Sequence, residues 1–215
     1  MMIKSAKTRR ERQKKELRSE LLAAAHALVQ EEGYEGLTIR RLAKRVGYAP
    51  MSVYSYFADK RDILVALAGD AFQTLARRME QLPADGSLET LRAVLVEYVA
   101  FGLENPNEYR TVFIAERIGP VGEKTFAEVE QGNPALRMLL ERVEACVAAG
   151  TLKGDVRAIS TILWTMGHGA VSLLITFPAY LFGDPQAYVA RIADMAIEAV
   201  AAKEIPPLPD VRINC

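Results

Sequence analysis

Four cations crowd one short stretch, Arg40, Arg41, Lys44 and Arg45, and a patch of hydroxyls follows it: Ser52, Tyr54, Ser55 and Tyr56, with Lys60 just beyond. These residue types hold phosphate esters rather than break them. Lys and Arg pair with phosphate oxygens, while hydroxyls on short or rigid side chains bond phosphates or base edges. A lysine in the first turn of a helix can share a phosphate with the helix-end amides. No Arg, Asn or Gln stands between Met51 and Phe57, so strong bidentate reading of bases is scarce. Specificity is expected to lean on apolar contact of Pro50 and Met51 with thymine methyls, on a basic N-terminal arm and on DNA shape. The partner these residues imply is double-stranded DNA.

Catalysis is poorly served by comparison. The chain holds two histidines, His26 and His168, and two cysteines, Cys146 and Cys215, which lack metal or redox spacing. There is no GxGxxG, P-loop, HExxH or GxSxG pattern. Glu97, Glu104, Glu108 and Glu116 are spread like a solvated face or a single pocket acceptor rather than a metal cluster. The chain is not expected to be an enzyme, and no cofactor and no metal site are implied. Cysteine usage suits a reduced, cytoplasmic setting. The basic start lacks an apolar signal core. The most apolar run, Ala170 to Phe182, is too short to span a bilayer and is interrupted by Pro178, so no membrane partner is expected.

Half of the 215 residues are hydrophobic and a quarter charged, enough for a sizeable core. The formal net charge of zero conceals an asymmetry. Residues 1–64 hold 14 Lys+Arg against 8 Asp+Glu, leaving the remainder equally acidic. A basic end on an acidic body points to a polyanion partner for the first part only.

The elements that must carry the cations follow from local spacing. Leu17, Leu21, Leu22, Ala24, Ala25, Leu28 and Val29 form one helical stripe, beginning near Glu11 and ended by Gly33. The basic stretch Lys4 to Arg18 leads into it, and the first part of that stretch, before about Glu11, reads as an arm without fixed structure, able to lie along phosphates or enter a minor groove. Thr38 is a good N-cap for a short helix with Ile39, Leu42, Ala43 and Val46 inward. Gly47 supplies the left-handed residue that ends it, and Pro50 starts the next. Small Ala43, the turn at Gly47 and branched Val53 meet the demands of a helix-turn-helix. Phe57, Ile63 and Leu64 continue the inward face.

From about Leu17 to Leu64 the chain resembles the DNA-binding domain of TetR-family transcriptional regulators. The resemblance rests on Gly47, Ser52, Val53, Tyr54, Tyr56, Phe57 and Lys60 in that order, and on LLAAAHALVQEEGYEGLTIRRLAKRVG upstream. It implies that Thr38, Ser52, Tyr54, Tyr56 and Lys60 contact DNA backbone or bases. Pro50-Met51 and Ala49 depart from residues common in the family, which touches operator sequence and one phosphate contact.

The rest of the chain reads as an all-α body, giving about nine helices in total. Ser87, Asn105-Pro106, Asn133-Pro134, Asp155 and Asp184-Pro185 signal helix starts, Gly119-Pro120 to Gly122 signals a break, and period-two strand patterns are absent. The expected organisation is a DNA-binding domain over 1–64, an effector-binding and dimerisation domain over 65–204, and a disordered tail over 205–215. The last two helices, about 155–177 and 185–202, are rich in small and aliphatic residues and suit a two-fold homodimer interface. Trp164-Thr165-Met166-Gly167-His168-Gly169, with the segments Asn105 to Phe113 and Gly154 to Val156, resembles a TetR-like C-terminal domain named for a Trp-His-Gly signature. That resemblance implies a pocket for a small apolar or amphipathic effector. Its candidate lining is Tyr98, Phe101, Tyr109, Phe113, Met138, Trp164 and His168, where Trp164 and His168 could equally pack the core. The function expected is a repressor released from a palindromic operator by that effector. The alternatives are an activator of the same type, or a ligand-independent architectural or partner-binding protein.

Overall fold

A computed structural model describes residues 2–111, 113, 130–178 and 183–209, with the backbone alone for residues 2–8 and 10. The expected break at Gly119 to Gly122, the residues Val112, Glu116 and Cys215, and the side chains of Lys4, Lys7 and Arg10 lie outside the described residues. Among the described residues the helices run α1 Met2–Gly36, α2 Ile39–Val46, α3 Pro50–Tyr54, α4 Lys60–Glu80, α5 Leu88–Glu104, α6 Pro106–Arg110, α7 Pro134–Ala148, α8 Val156–Thr176 and α9 Pro185–Ala201. The fold is all-α, as the spacing predicts; among the described residues the β pairing consists of the isolated bridge Gly154–Ile205.

Two compact units divide the chain. The first holds residues 1–71 and 105–123, the second 72–104 and 124–215. The division falls inside α4, and α6 groups with the N-terminal helices rather than with the body that the sequence assigns it to.

In the first unit, Leu21, Leu22, Ala25, Leu28 and Val29 of α1 pack with Leu42, Ala43, Val53, Phe57, Ile63 and Leu64. Phe57 is buried to 1% exposure, and a side chain of that size contributes about 1.5–3 kcal/mol on leaving water. The expected unstructured arm is instead helix: α1 begins at Met2. The reason is composition, since Lys4 to Arg18 contains helix formers and neither Gly nor Pro. Gly33, with φ 70° and ψ −170°, interrupts α1 near its end. α6 packs on α1, where Asn107 Nδ2 donates to Gln30 O at 2.8 Å and Glu108 meets His26.

The second unit closes around Leu91, Val94 and Leu95 of α5, Leu139 and Val143 of α7, Ile159 and Leu163 of α8, and Ala193, Ala196 and Val200 of α9. Its helix starts follow the local signals. The side chains of Asn133, Asp155 and Asp184 accept from Leu136 N, Ala158 N and Ala187 N, and Ser87 Oγ accepts from Thr90 N. Asn105 makes no such cap bond. α8 is long and apolar enough to cross a membrane by length and composition, longer than the run seen in the sequence because it begins at Val156. Its Ala158, Ile159, Leu163, Ala170 and Val171 are buried within this unit. Ile205, where a disordered tail is expected to open, is buried and tied down. Its N–H donates to Lys153 O at 3.0 Å and its carbonyl accepts from Asp155 N at 2.8 Å. Pro206 to Pro209 are exposed.

Candidate nucleic-acid interface

The turn between α2 and α3 is built by backbone alone. Gly47 sits at φ 74°, ψ 22°, a region that a Cβ disfavours. From there its N–H reaches the carbonyls of Ala43 and Lys44, and Tyr48 N–H reaches Ala43 O at 2.9 Å. At the other end of α2, Thr38 Oγ1 accepts from Arg41 N at 3.2 Å. Pro50 occupies the first turn of α3, and Val53 and Ala43, both fully buried, face the core. Asp59 then caps α4 by accepting from Asp62 N at 2.9 Å.

This framework sorts the expected phosphate-holding residues into two sets. Arg40 and Lys44 are exposed and make no ion pair among the described residues. Arg41 meets Glu32 of α1, and Arg45 grips Glu31 with two bonds of 2.7 and 2.6 Å. The bonds from Arg45 hold the Glu31 carboxyl below its ordinary pKa. Lys60 is engaged as well: Nζ donates to Tyr34 O at 3.0 Å and lies 3.3 Å from the centre of the Tyr34 ring. Nothing in the sequence near Lys60 or Arg45 points to these partners, which lie 26 and 14 residues away.

The recognition end itself is open. Met51 is 75% exposed and Tyr54 50%, while Pro50 and Ser55 are also exposed. Ser52 and Tyr56 are half-buried, and Ser55 Oγ turns back to Met51 O at 3.5 Å. One residue that the sequence reasoning missed belongs with them. Tyr48, 43% exposed, stands in the turn directly before α3. The available signal was an aromatic residue placed next to the turn glycine. Tyr48, Ser55 and Tyr56 border a groove of about 900 Å³ whose far side is α1 from Glu11 to Glu20. Glu11, Glu16 and Glu20 outnumber Lys14 along it, so this part of the arm is mixed in charge.

The second constellation, the expected effector lining, divides between the units. Tyr109 and Phe113 belong to the first, their rings 4.8 Å apart. Tyr98, Phe101, Met138, Trp164 and His168 belong to the second, where all five are half-buried against the core. Three of them form a polar chain. Trp164 Nε1–H donates to Tyr98 Oη at 3.3 Å, and Tyr98 Oη shares a proton with His168 Nδ1 at 3.1 Å in a direction set by the imidazole tautomer. The Trp164 and His168 rings meet edge-on, 6.1 Å apart. Burial pushes the His168 pKa down, which favours the neutral ring. Gly167 makes the approach possible: a Cβ there would lie 2.6 Å from Leu95 and 3.2 Å from Tyr98.

Comparison with known proteins finds one family at both ends of the chain. Residues 21–67 match the family described as bacterial regulatory proteins, tetR family, and residues 91–196 match the tetracyclin repressor-like, C-terminal domain. The chain is similar to the HTH-type transcriptional repressor AcnR of Corynebacterium diphtheriae, 26% identical over 196 residues that cover 87% of this chain and 93% of that protein. In fold it is similar to a protein of unknown function from Rhodococcus sp. RHA1, with TM-score 0.68, 24% identity and coverage of 86% of this chain and 95% of that one. It is similar also to RolR in complex with the ligand resorcinol, with TM-score 0.65, 17% identity and coverage of 94% and 100%. A helix-turn-helix with an exposed third helix, joined through one long helix to an all-α body and matched at both ends by the same family, leads to one conclusion: the chain belongs to the tetR family and is a DNA-binding transcriptional regulator.

Proposed function

We propose that the protein is a homodimeric repressor that binds a palindromic operator and is released by a small apolar or amphipathic effector. The observation that supports it most is the contrast within α2 and α3: Met51, Tyr54, Arg40 and Lys44 are left open on an otherwise well-packed unit. Arg40 and Lys44 hold phosphates, and Pro50, Met51, Tyr54, Ser55 and, in part, Ser52 and Tyr56 enter the major groove. Thr38 and Lys60 fix the frame. The repressor reading follows the similarity to AcnR, which carries that description. Dimerisation through α8 and α9 is supported by Leu173, Phe177 and Met195, exposed large apolar groups on or beside those two helices. Such a protein works in the cytoplasm, beside its DNA.

The effector is proposed to enter near Tyr98, Trp164 and His168. RolR, a neighbour in fold, holds resorcinol, a small phenol, in its own complex. Binding of the effector to the released state about 100-fold more tightly than to the DNA-bound state shifts the equilibrium toward release by about 2.7 kcal/mol. A regulator without an effector is the second reading, favoured by the way these three side chains satisfy one another.

The test is a gel-shift titration against the protein's own upstream DNA. Tyr54→Ala and Arg40→Ala should each weaken the complex, and wild-type affinity in both variants would sink the regulator mechanism. Screening apolar and phenolic compounds for release of the bound DNA separates the effector reading from the ligand-independent one.

A further inference from the structure

Three of the four exposed large apolar side chains described in the first unit lie within the short segment 48–54. Tyr48, Met51 and Tyr54 are 43%, 75% and 50% exposed, and among the described residues of that unit Val65 is the one other large apolar group left so open. Contiguous apolar surface on a folded unit marks a contact with something else. The surrounding charges indicate what that is, because Arg40 and Lys44 of α2 are exposed and make no ion pair among the described residues, while Arg41 and Arg45 are occupied by glutamates.

The chemistry of the surface is narrow. Residues 50–57 contain no Arg, Lys, Asn or Gln, the side chains that read guanine and adenine edges by paired hydrogen bonds. Ser55 bonds back to Met51 O and Ser52 is half-buried, so the group that protrudes furthest is the Met51 thioether chain with an aromatic ring on either side in sequence. In the major groove the feature that an apolar side chain can recognise is the C5 methyl of thymine.

We propose that Tyr48, Met51 and Tyr54 form an apolar reading surface that selects the operator through thymine methyl groups, so that A·T pairs carry the direct readout. The proposal rests on the regulator reading above and assigns the class of base it recognises, adding Tyr48 and Tyr54 to the Pro50 and Met51 contacts that the sequence suggests. Each methyl buried against this surface is worth about fourfold in affinity, the transfer value of one apolar carbon.

The experiment uses the full chain. Duplexes that it retains are enriched from a random pool, and the tightest is titrated unmodified, with single thymine-to-uracil replacements, and with 7-deazaguanine for guanine. Uracil deletes the methyl and leaves the hydrogen-bonding edge; 7-deazaguanine deletes the N7 acceptor. At one or more positions uracil is expected to weaken binding about fourfold, while 7-deazaguanine leaves it unchanged. Met51→Ala, a change at an exposed site, and Tyr48→Ser are expected to abolish the thymine-to-uracil difference at their own positions. Equal binding of every uracil duplex, or loss confined to 7-deazaguanine, overturns the proposal while leaving the regulator reading standing. A folded protein that enriches no duplex overturns both.

Discussion

The recognition helix and the Trp164–His168 helix both carry short sequence motifs, yet the fold treats them in opposite ways. α3 turns Met51 and Tyr54 outward, and on α2 before it Arg40 and Lys44 make no ion pair among the described residues. α8 turns Trp164 and His168 toward Tyr98 and links the three by hydrogen bonds. A motif thus locates chemically capable residues, and the state of their polar atoms shows whether that capacity remains available for a partner. Groups already bonded to one another stabilise the unit; groups left open pay their ordering entropy only when a ligand arrives.

The comparison breaks most visibly at Gly167. Gly167→Val would push a branched side chain into Leu95 and Tyr98, forcing α8 away from α5. Overpacking of this kind costs about 3 kcal/mol at its upper end, and thermal unfolding should show it as a drop of roughly 6–12 °C. The equivalent change on the open side, Met51→Val, should leave the unfolding midpoint where it is. Equal midpoints for Gly167→Val and wild type would mean that the two helices do not depend on this close approach.

Next in size is the division between free and occupied cations. Arg40→Ala with Lys44→Ala should weaken the operator complex roughly tenfold and lower the slope of log affinity against log salt by about 1.8, close to 0.9 per phosphate contact. Arg45→Ala should leave that slope nearly unchanged, because Arg45 is spent on Glu31. Lys60→Ala should weaken binding without changing the slope, through the loss of its hold on Tyr34. A slope change of one unit for Lys60→Ala would place it on a phosphate instead.

That division also shows where sequence reasoning stops. The turn at Gly47, the Thr38 cap, Pro50 at the start of α3 and the caps at Asn133, Asp155 and Asp184 are legible because each depends on residues within one helical turn. The pairings of Arg41 with Glu32 and Lys60 with Tyr34 are not, since they exist only once α1 has crossed α2 and α4. At the second site the same limit applies. The four-residue spacing of Trp164 and His168 predicts a shared helix face, but their common partner Tyr98 stands 66 residues before Trp164. The arm misled for another reason: charge density suggested disorder, while a run free of Gly and Pro propagates a helix already nucleated by the packed turns that follow. Ile205 misled in the same direction but for a different reason, because two backbone bonds to Lys153 and Asp155 outweigh the prolines after it.

Smaller still is the effect of deleting the shared hydroxyl. Tyr98→Phe keeps the ring but removes the acceptor of Trp164 Nε1–H and the partner of His168 Nδ1. Leaving half-buried polar groups unpaired costs about 1–2 kcal/mol, so a loss of roughly 2–8 °C is expected. If the midpoint instead stays put and effector release disappears, Tyr98 serves the ligand rather than the fold.

The smallest predicted effect is a pair of opposing pH dependences, one in each unit. Burial lowers the His168 pKa, so its contribution to stability is present above the ordinary imidazole value and is lost as pH falls through the lowered one. The midpoint should therefore decline on acidification from about pH 7 to about pH 5, and His168→Gln should flatten that decline. Glu108 runs the other way. Burial raises its pKa, with His26 and a hydrogen bond from Gln30 opposing, so its contribution is present at acid pH and is lost as pH rises through the raised value. Among the described residues, His26 on α1 is in direct contact with it, and Arg110 shares α6 and is exposed. Glu108→Gln should gain relative to wild type as pH rises, by on the order of 2 °C, and His26→Gln should lose relative to wild type as pH rises, because the interaction that opposes the raised carboxyl is removed. If Glu108→Gln tracked wild type across the whole range, folding would leave the ionisation of this carboxyl unperturbed, and the effects of burial and of His26 on it would cancel.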